Sequence, residues 1–304
     1  MAQTQLLSTG NVGGAWVVPK AKHSCHVRQW ALLEFVAAGS LARVFRAKPA
    51  GSNGDQAAAY AVKMLRSEWQ NDPLAIELLQ REALVGQSLA HPHLVPILSA
   101  HVLEPPRLLV MPWLEGASLE QRLAAGQQFD PLRTAWIARQ AAEGLAALHE
   151  AGWMHGDLTP ANINLSPTGH VTLIDFSFAR RSDEFGSAVD RPIMGTCHYL
   201  APETLTSALR PDIRSDIFSL GVVMYQMLSA RVPYPAKDLA DLATQHQQAA
   251  VPDLTRLAPE LPREVIALVR RMMAKEPLRR PQTPRELVER LMTLEIGLFA
   301  QRGA

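Results

Sequence analysis

The stretch His155-Gly156-Asp157-Leu158-Thr159-Pro160-Ala161-Asn162, followed by Ile174-Asp175-Phe176-Ser177, decides how the rest of the chain is read. It sets the carboxylates Asp157 and Asp175 and the amide oxygen of Asn162 on loops beside short strands predicted over 163–165 and 171–174, where they can converge. Hard oxygen donors of this kind suit Mg²⁺ carrying a nucleotide's phosphates. A carboxylate beside them can accept a proton from an attacking hydroxyl. Taken alone, Asp and Asn also serve as turn and cap formers, so the flanking sequence has to decide.

Upstream the texture is strand-rich around a single helix. Residues 30–36 and 43–47 read as strands flanking a small-residue turn at 37–42, and a loop at 51–55 leads to a third strand over 57–65. Asp72-Pro73, an acidic cap with proline at the first helical position, opens a helix that runs to about Leu89 and stops at His91-Pro92. Strands near 94–101 and 107–111 follow. Beyond Glu115-Gly116 the pattern turns helical: Asp130-Pro131 opens a helix through Ala151 with Ile137, Ala141, Leu145 and Leu148 on one face. Further helices are predicted over 216–229, 238–248, 263–273 and 284–294, with prolines at the joins. The outline is α+β and bilobal. An irregular leader (1–27, with a local strand at 15–18) precedes a small β-rich lobe with one long helix (28–112). A connector (113–116), a larger α-helical lobe (117–296) and a tail (297–304) complete it.

Composition narrows the function classes. With 47% hydrophobic and 19% charged residues, the 304-residue chain can bury a core. Thirty basic against 29 acidic residues leave a net charge of +1, which argues against nucleic acid or an anionic membrane as the main partner. No secretory signal or apolar run of membrane-spanning length is visible, since 218–228 is short and contains Gln226. Two cysteines, Cys25 and Cys197, make neither a disulfide framework nor a four-thiolate zinc site, and free thiols suit a cytoplasmic location. His91-Pro92-His93 fits a turn, so no zinc is assigned.

Over roughly residues 28–294 the sequence resembles the eukaryotic-like protein kinase family, of the bacterial Ser/Thr type. The likeness is carried, in order, by Gly39 with Val44, Ala61-Val62-Lys63, Glu82, the 155–162 loop, Asp175-Phe176, Gly195-Thr196, Ala201-Pro202-Glu203, Asp216 with Gly221, and Arg280-Pro281. Lys63 lies mid-strand in an apolar run, where an unpaired ammonium is costly to bury. The resemblance implies that it contacts the α- and β-phosphates and pairs with Glu82. Glu77 competes on the same helix but points roughly 140° away. Asp157 is implied to orient the acceptor hydroxyl and take its proton, while Asn162 and Asp175 hold the metal. Met111-Pro112-Trp113-Leu114 resembles the connector that binds adenine through main-chain groups. There Met111 stands at the back of the pocket, the Pro112 carbonyl stays available, and Leu114 offers both an N–H and a C=O. The resemblance implies that Val44 and Ala61 roof the base and that Ala37, Gly39 and Ile174 also face the nucleotide. Glu203 and Arg280 resemble a buried ion pair, and Asp216 the anchor of the catalytic loop.

Five departures from the family pattern stand out. Ala37 and Ala42 replace two loop glycines, which makes any positive φ there costly. Gly156 replaces an arginine, so activity is expected not to depend on a phosphate anchored through it. A large activation lost on mutating Ser182, Ser187 and Thr196 together would contradict that. Thr159 stands where a lysine usually stabilises the transferred phosphoryl group, which implies slow turnover. Ser177 replaces a glycine, and Asn164 occupies the usually apolar adenine floor, where an amide needs partners. The implied activity is transfer of the γ-phosphoryl group of Mg-ATP to protein Ser/Thr hydroxyls, the chain's own included. Its cofactors are ATP and Mg²⁺. Thr159, Ala37 and Ala42 motivate an alternative, a pseudokinase scaffold or nucleotide-sensing module.

Overall fold

The computed structural model describes residues 25–52, 59–181, 184, 197–205 and 211–302. The predicted strand at 15–18, residues 53–58, Ser182, Ser187 and Gly195-Thr196 lie outside the described residues. In the small lobe, β1 (Cys25–Val27), β2 (Trp30–Ala38), β3 (Ala42–Pro49), β4 (Tyr60–Leu65), β5 (Ser99–His101) and β6 (Leu108–Pro112) form an antiparallel sheet. Its order is β1-β2-β3-β4-β6-β5. The period-two alternation of strand side chains gives this sheet two apolar faces. Ala42, Leu65 and Leu109 pack with Ala75, Leu79 and Ala83 of helix α1 (Pro73–Ser88), whereas Trp30, Leu32, Val62, Leu108 and Val110 pack on the other side. Helix α1 starts where Asp72-Pro73 places it, with the Asp72 carboxylate accepting from the Ala75 N–H at 2.8 Å.

The large lobe follows with β7 (Ala117–Ser118), α2 (Leu119–Ala124), α3 (Pro131–Glu150), β8 (Trp153–Met154), β9 (Ile163–Leu165), β10 (Val171–Leu173) and β11 (Arg180–Arg181). Helices α4 (Ile213–Ser229), α5 (Leu239–Gln248), α6 (Arg263–Met272) and α7 (Pro284–Arg302) complete it. Helix α4 is buried on nearly every side from Ile213 to Tyr225, as befits a helix at the centre of a lobe. A Cβ on its Gly221 would stand 2.8 Å from the Cβ of Met272, so the glycine is what lets α6 approach.

Three expectations need correction. The end of the irregular leader is a strand, because Cys25–Val27 pairs with Trp30–Leu32 across a tight turn at Arg28 (φ 51°). The strand expected from 94 shrinks to Ser99–His101. Upstream, the Val95 N–H donates to the Leu173 carbonyl at 3.0 Å and the Ile97 N–H to the Gly86 carbonyl at 2.9 Å. That backbone is satisfied by the large lobe and by α1 rather than by a ladder. The tail at 297–304 is helical through Arg302. Gly297 does not end the helix, because Leu294 and Leu298 on either side of it are buried and Arg139 on α3 grips Glu295 at 2.8 Å.

One buried histidine makes the large lobe acid-sensitive. His246 Nε2 lies 3.0 Å from the Leu200 carbonyl, which can only accept, so this nitrogen carries the proton. Its Nδ1, 2.9 Å from Lys275 Nζ, accepts from the ammonium. Burial and then the Lys275 charge push the imidazole down to about 4. The unfolded chain takes up this proton near pH 6.5 while the fold resists it, so stability is lost as pH falls from there toward 4. Urea unfolding should show wild type losing about 2 kcal/mol more than His246→Gln between pH 7 and pH 5.

Candidate active site

Strand β4 carries Lys63 into the cleft, opposite Val44 on β3 and Leu109 on β6. Its ammonium is 2.7 Å from Glu82 Oε2 and 2.9 Å from Asp175 Oδ1, with side-chain exposures of 14% for Lys63 and 2% for Glu82. Burial alone would lower the lysine's pKa. The facing Asp175 and Glu82 carboxylates outweigh that and hold it above its ordinary value. Of the two candidate glutamates, Glu82 therefore faces the cleft. Glu77 is half exposed and meets Arg81 at 3.2 Å.

The loop at 155–162 is hung on helix α4. Asp216 accepts from the His155 N–H at 2.7 Å and from the Gly156 N–H at 2.9 Å, the anchoring expected of it. The buried His155 ring packs edge-on against Phe176 at 5.7 Å. Asn162 then turns its amide N–H groups onto Asp157, reaching its carbonyl at 2.8 Å and its Oδ2 at 3.0 Å. That leaves the Asn162 oxygen as the amide atom available to a cation. Burial, with the Asp175 charge adding to it, pushes the Asp157 carboxyl up to about 7, against the Asn162 hydrogen bond. Thr159 precedes the turn Pro160–Asn162 without capping it through its side chain, so its hydroxyl is not spent on the backbone.

Asp175 adopts a left-handed backbone, φ 66°. That conformation costs a non-glycine residue energy and persists where the surroundings enforce it. Part of the enforcement comes from Ser177, whose hydroxyl donates to Asp175 Oδ1 at 2.7 Å and whose N–H donates at 3.3 Å. Burial pushes the Asp175 carboxyl upward, but the Lys63 charge and the Ser177 bonds bring it down to about 2. An ionised carboxylate, an amide oxygen and an ammonium thus gather in one place. This donor set fits a hard divalent cation bearing phosphates.

The residues that the resemblance assigns to the nucleotide lie on the small-lobe strands and their turn, on the connector and on β9, with Ile174 just after β10. Ala61 on β4 is buried opposite Met111 on β6 and Arg46 on β3. Gly39 closes a tight turn, its N–H donating to the Ala42 carbonyl at 2.8 Å. The cost anticipated for Ala37 and Ala42 does not arise. Both lie in strands, and among the described residues positive φ at a non-glycine occurs only at Arg28, Asp175 and Ala230. Pro112 ends β6, and the Trp113 N–H donates to the Ala59 carbonyl at 2.8 Å, which leads the chain to Leu114. Asn164 finds the partner its amide needs in the Glu115 carbonyl at 3.1 Å, which ties β9 to the connector. The Ile174 N–H donates to the Asn162 carbonyl at 3.0 Å, which fixes the chain leading to Asp175 against the loop that carries Asn162.

Sequence reasoning missed three contributors. Ser177 stood out only as a replacement for glycine, although its hydroxyl steadies Asp175. Arg46 lies over the Trp113 ring at 4.8 Å and 3.8 Å from Glu115, linking β3 to the connector. Arg81 reaches across to the segment after Asp175. Of these, only Ser177 had a sequence signal, a hydroxyl two positions from a carboxylate.

A six-stranded small lobe over a helical lobe is the architecture of the protein kinase class. Residues 30–291 match the family model described as protein kinase domain, and the chain belongs to that family. It is similar to serine/threonine-protein kinase PrkC of Bacillus subtilis, 27% identical over 85% of this chain and 39% of the relative. It is also similar to serine/threonine-protein kinase pkn2 of Myxococcus xanthus, 35% identical over 79% of this chain and 30% of the relative. Serine/threonine-protein kinase PknH of Mycobacterium tuberculosis is 32% identical over 71% of this chain and 34% of its own length. The chain thus spans between 30% and 39% of the length of these three relatives. No helix among the described residues is long and apolar enough to cross a membrane.

Proposed function

We propose that this chain transfers the γ-phosphoryl group of Mg-ATP to serine and threonine hydroxyls of proteins, its own included, in the cytoplasm. The observation that carries the reading is the double grip of Lys63 on Glu82 and Asp175, beside an Asp157 held by Asn162. Asp175 and the Asn162 oxygen would hold Mg²⁺, which when bound neutralises phosphate charge. Lys63 orients the α- and β-phosphates, and its own orientation comes from Glu82. Asp157 accepts a hydrogen bond from the acceptor hydroxyl and takes its proton as the oxygen attacks phosphorus in line. Val44, Ala61 and Met111 exclude water from the base, while Pro112 and Leu114 present main-chain groups to its edge.

Thr159 supplies a hydroxyl and no charge to the transferring group, so turnover is slow. Thr159→Lys is expected to raise kcat by about tenfold in a steady-state assay. The reading itself is tested with γ-labelled ATP and a generic basic protein. Label should transfer with wild type and be abolished by Asp157→Ala. Binding of Mg-nucleotide without transfer by wild type would overturn it in favour of a nucleotide-sensing module.

A further inference from the structure

Arg81 stands one residue before Glu82 on α1, with a side chain only 12% exposed. Its Nη1 donates to the Ala179 carbonyl at 2.9 Å and to both carboxylate oxygens of Glu184, at 2.8 and 2.6 Å. The segment bearing these acceptors is fixed to the large lobe. Strand β11 pairs with β8, the Arg181 guanidinium lies 5.5 Å over the Trp153 ring, and the Glu184 N–H donates to the Arg181 carbonyl at 3.1 Å. A continuous set of contacts therefore runs from the large lobe through Glu184 to Arg81, and one residue further to Glu82 and Lys63.

A second observation concerns Gly156. Its φ is 76°, and a Cβ there would stand 2.4 Å from the Phe178 carbonyl oxygen. The chain bends through a conformation that suits glycine, and the position offers no cation to the segment. The guanidinium that meets the segment comes from α1 instead, and its partner is already a carboxylate. Charge-assisted bonds of this geometry are stronger than neutral ones.

The geometry points to Glu184 as a positioning residue: its carboxylate grips Arg81 and holds α1 against the cleft. Glu82 thereby stays on Lys63 without a phosphate having to be added to the segment. The inference rests on the phosphotransfer reading of the site. Without the grip α1 is free to swing outward, and Lys63 keeps Asp175 alone. Loss of the carboxylate then weakens both nucleotide positioning and turnover, whereas a merely structural contact would lower Tm and leave kcat intact.

The test compares wild type, Glu184→Gln, Arg81→Gln and the double variant, each shown by intact mass to carry no phosphate at the start. Initial transfer rates and amide hydrogen exchange of residues 73–88 are measured on the same preparations. Glu184→Gln is expected to lower kcat by about tenfold and to raise the KM for ATP, with Tm within ~2 °C of wild type. Exchange across α1 should accelerate, and the double variant should be no slower than Arg81→Gln alone. Wild-type kinetics and unchanged exchange in Glu184→Gln would overturn the inference, as would a wild type active only after its segment is phosphorylated. If wild type transfers nothing, the phosphotransfer reading fails by itself. Exchange of α1 in nucleotide-free protein then still decides whether Glu184 holds the helix: acceleration in Glu184→Gln supports the grip, and no change overturns it.

Discussion

Asp175→Asn is expected to reduce kcat/KM for phosphoryl transfer by on the order of 1000-fold, the scale seen when one preorganised charge is removed from a reacting centre. Asp175 faces Lys63 at 2.9 Å, is held by the Ser177 hydroxyl at 2.7 Å, and stays ionised at neutral pH because its carboxyl is brought down to about 2. The amide keeps the shape and loses the charge, so the uncompensated phosphates repel the incoming hydroxyl. Lys63 still has Glu82 at 2.7 Å, and the fold should survive, with an unchanged far-UV circular dichroism spectrum. The diagnostic readout is the Mg²⁺ dependence of nucleotide affinity, measured by calorimetry with and without chelator. Wild type should bind more tightly with Mg²⁺, and Asp175→Asn should show little difference. A variant that keeps wild-type kcat/KM would mean that the metal and phosphates lie elsewhere.

Glu203→Ala is expected to cost about 3–5 kcal/mol of stability, the largest thermodynamic effect anticipated for this chain. Arg280 and Glu203 form a bidentate pair at 2.6 and 2.8 Å with side-chain exposures of 0% and 2%. The remaining polar atoms are also engaged. Ser215 donates to Glu203 at 2.7 Å, while Arg280 donates to the carbonyls of Ala274, Arg214 and Lys275 at 2.8, 2.9 and 3.1 Å. Removing the carboxylate leaves a buried guanidinium without its counter-charge, and Tm should fall by roughly 10 °C. Replacing both partners by apolar residues often restores stability to a buried pair. Here Glu203→Met with Arg280→Met should not, because three carbonyls then lose their donor. Urea unfolding of the single and double variants checks both statements. A double variant as stable as wild type would show that those carbonyls find other partners.

What could be read from the sequence was governed by how local each determinant is. Asp72-Pro73 and Asp130-Pro131 are self-contained helix starts, and the two aspartates cap Ala75 and Arg133 as that logic requires. The far end of α7 runs past Gly297 because packing outweighs that glycine's low helix propensity, and Leu298 packing is a tertiary fact. Residues 94–98 look strand-like because they are apolar, yet the Val95 and Ile97 N–H groups go to β10 and α1, and only that of Leu98 reaches β6. In the site, the need of Lys63 for a counter-charge was legible from its apolar strand, and the resemblance chose Glu82 over Glu77 as its source. That Asp175 shares the same ammonium was not legible, nor that Ser177 fixes the carboxylate, since both depend on how a loop turns. Arg81 and Glu184 are 103 positions apart, and nothing in either neighbourhood announces the other. The concern over Ala37 and Ala42 came from assigning loop conformation by residue type. The hairpin meets the need with ordinary strand backbone.

The most direct measurement is phosphosite mapping by mass spectrometry after incubating the purified, initially unmodified protein with Mg²⁺ and ATP, alongside Asp157→Ala. Phosphate is expected on serine and threonine of the wild type, to require Mg²⁺, and to be missing from Asp157→Ala. Equal labelling of the two proteins, or none on a wild type that calorimetry shows binding Mg-ATP, would contradict the assignment of Lys63, Asp157, Asn162 and Asp175 to phosphoryl transfer.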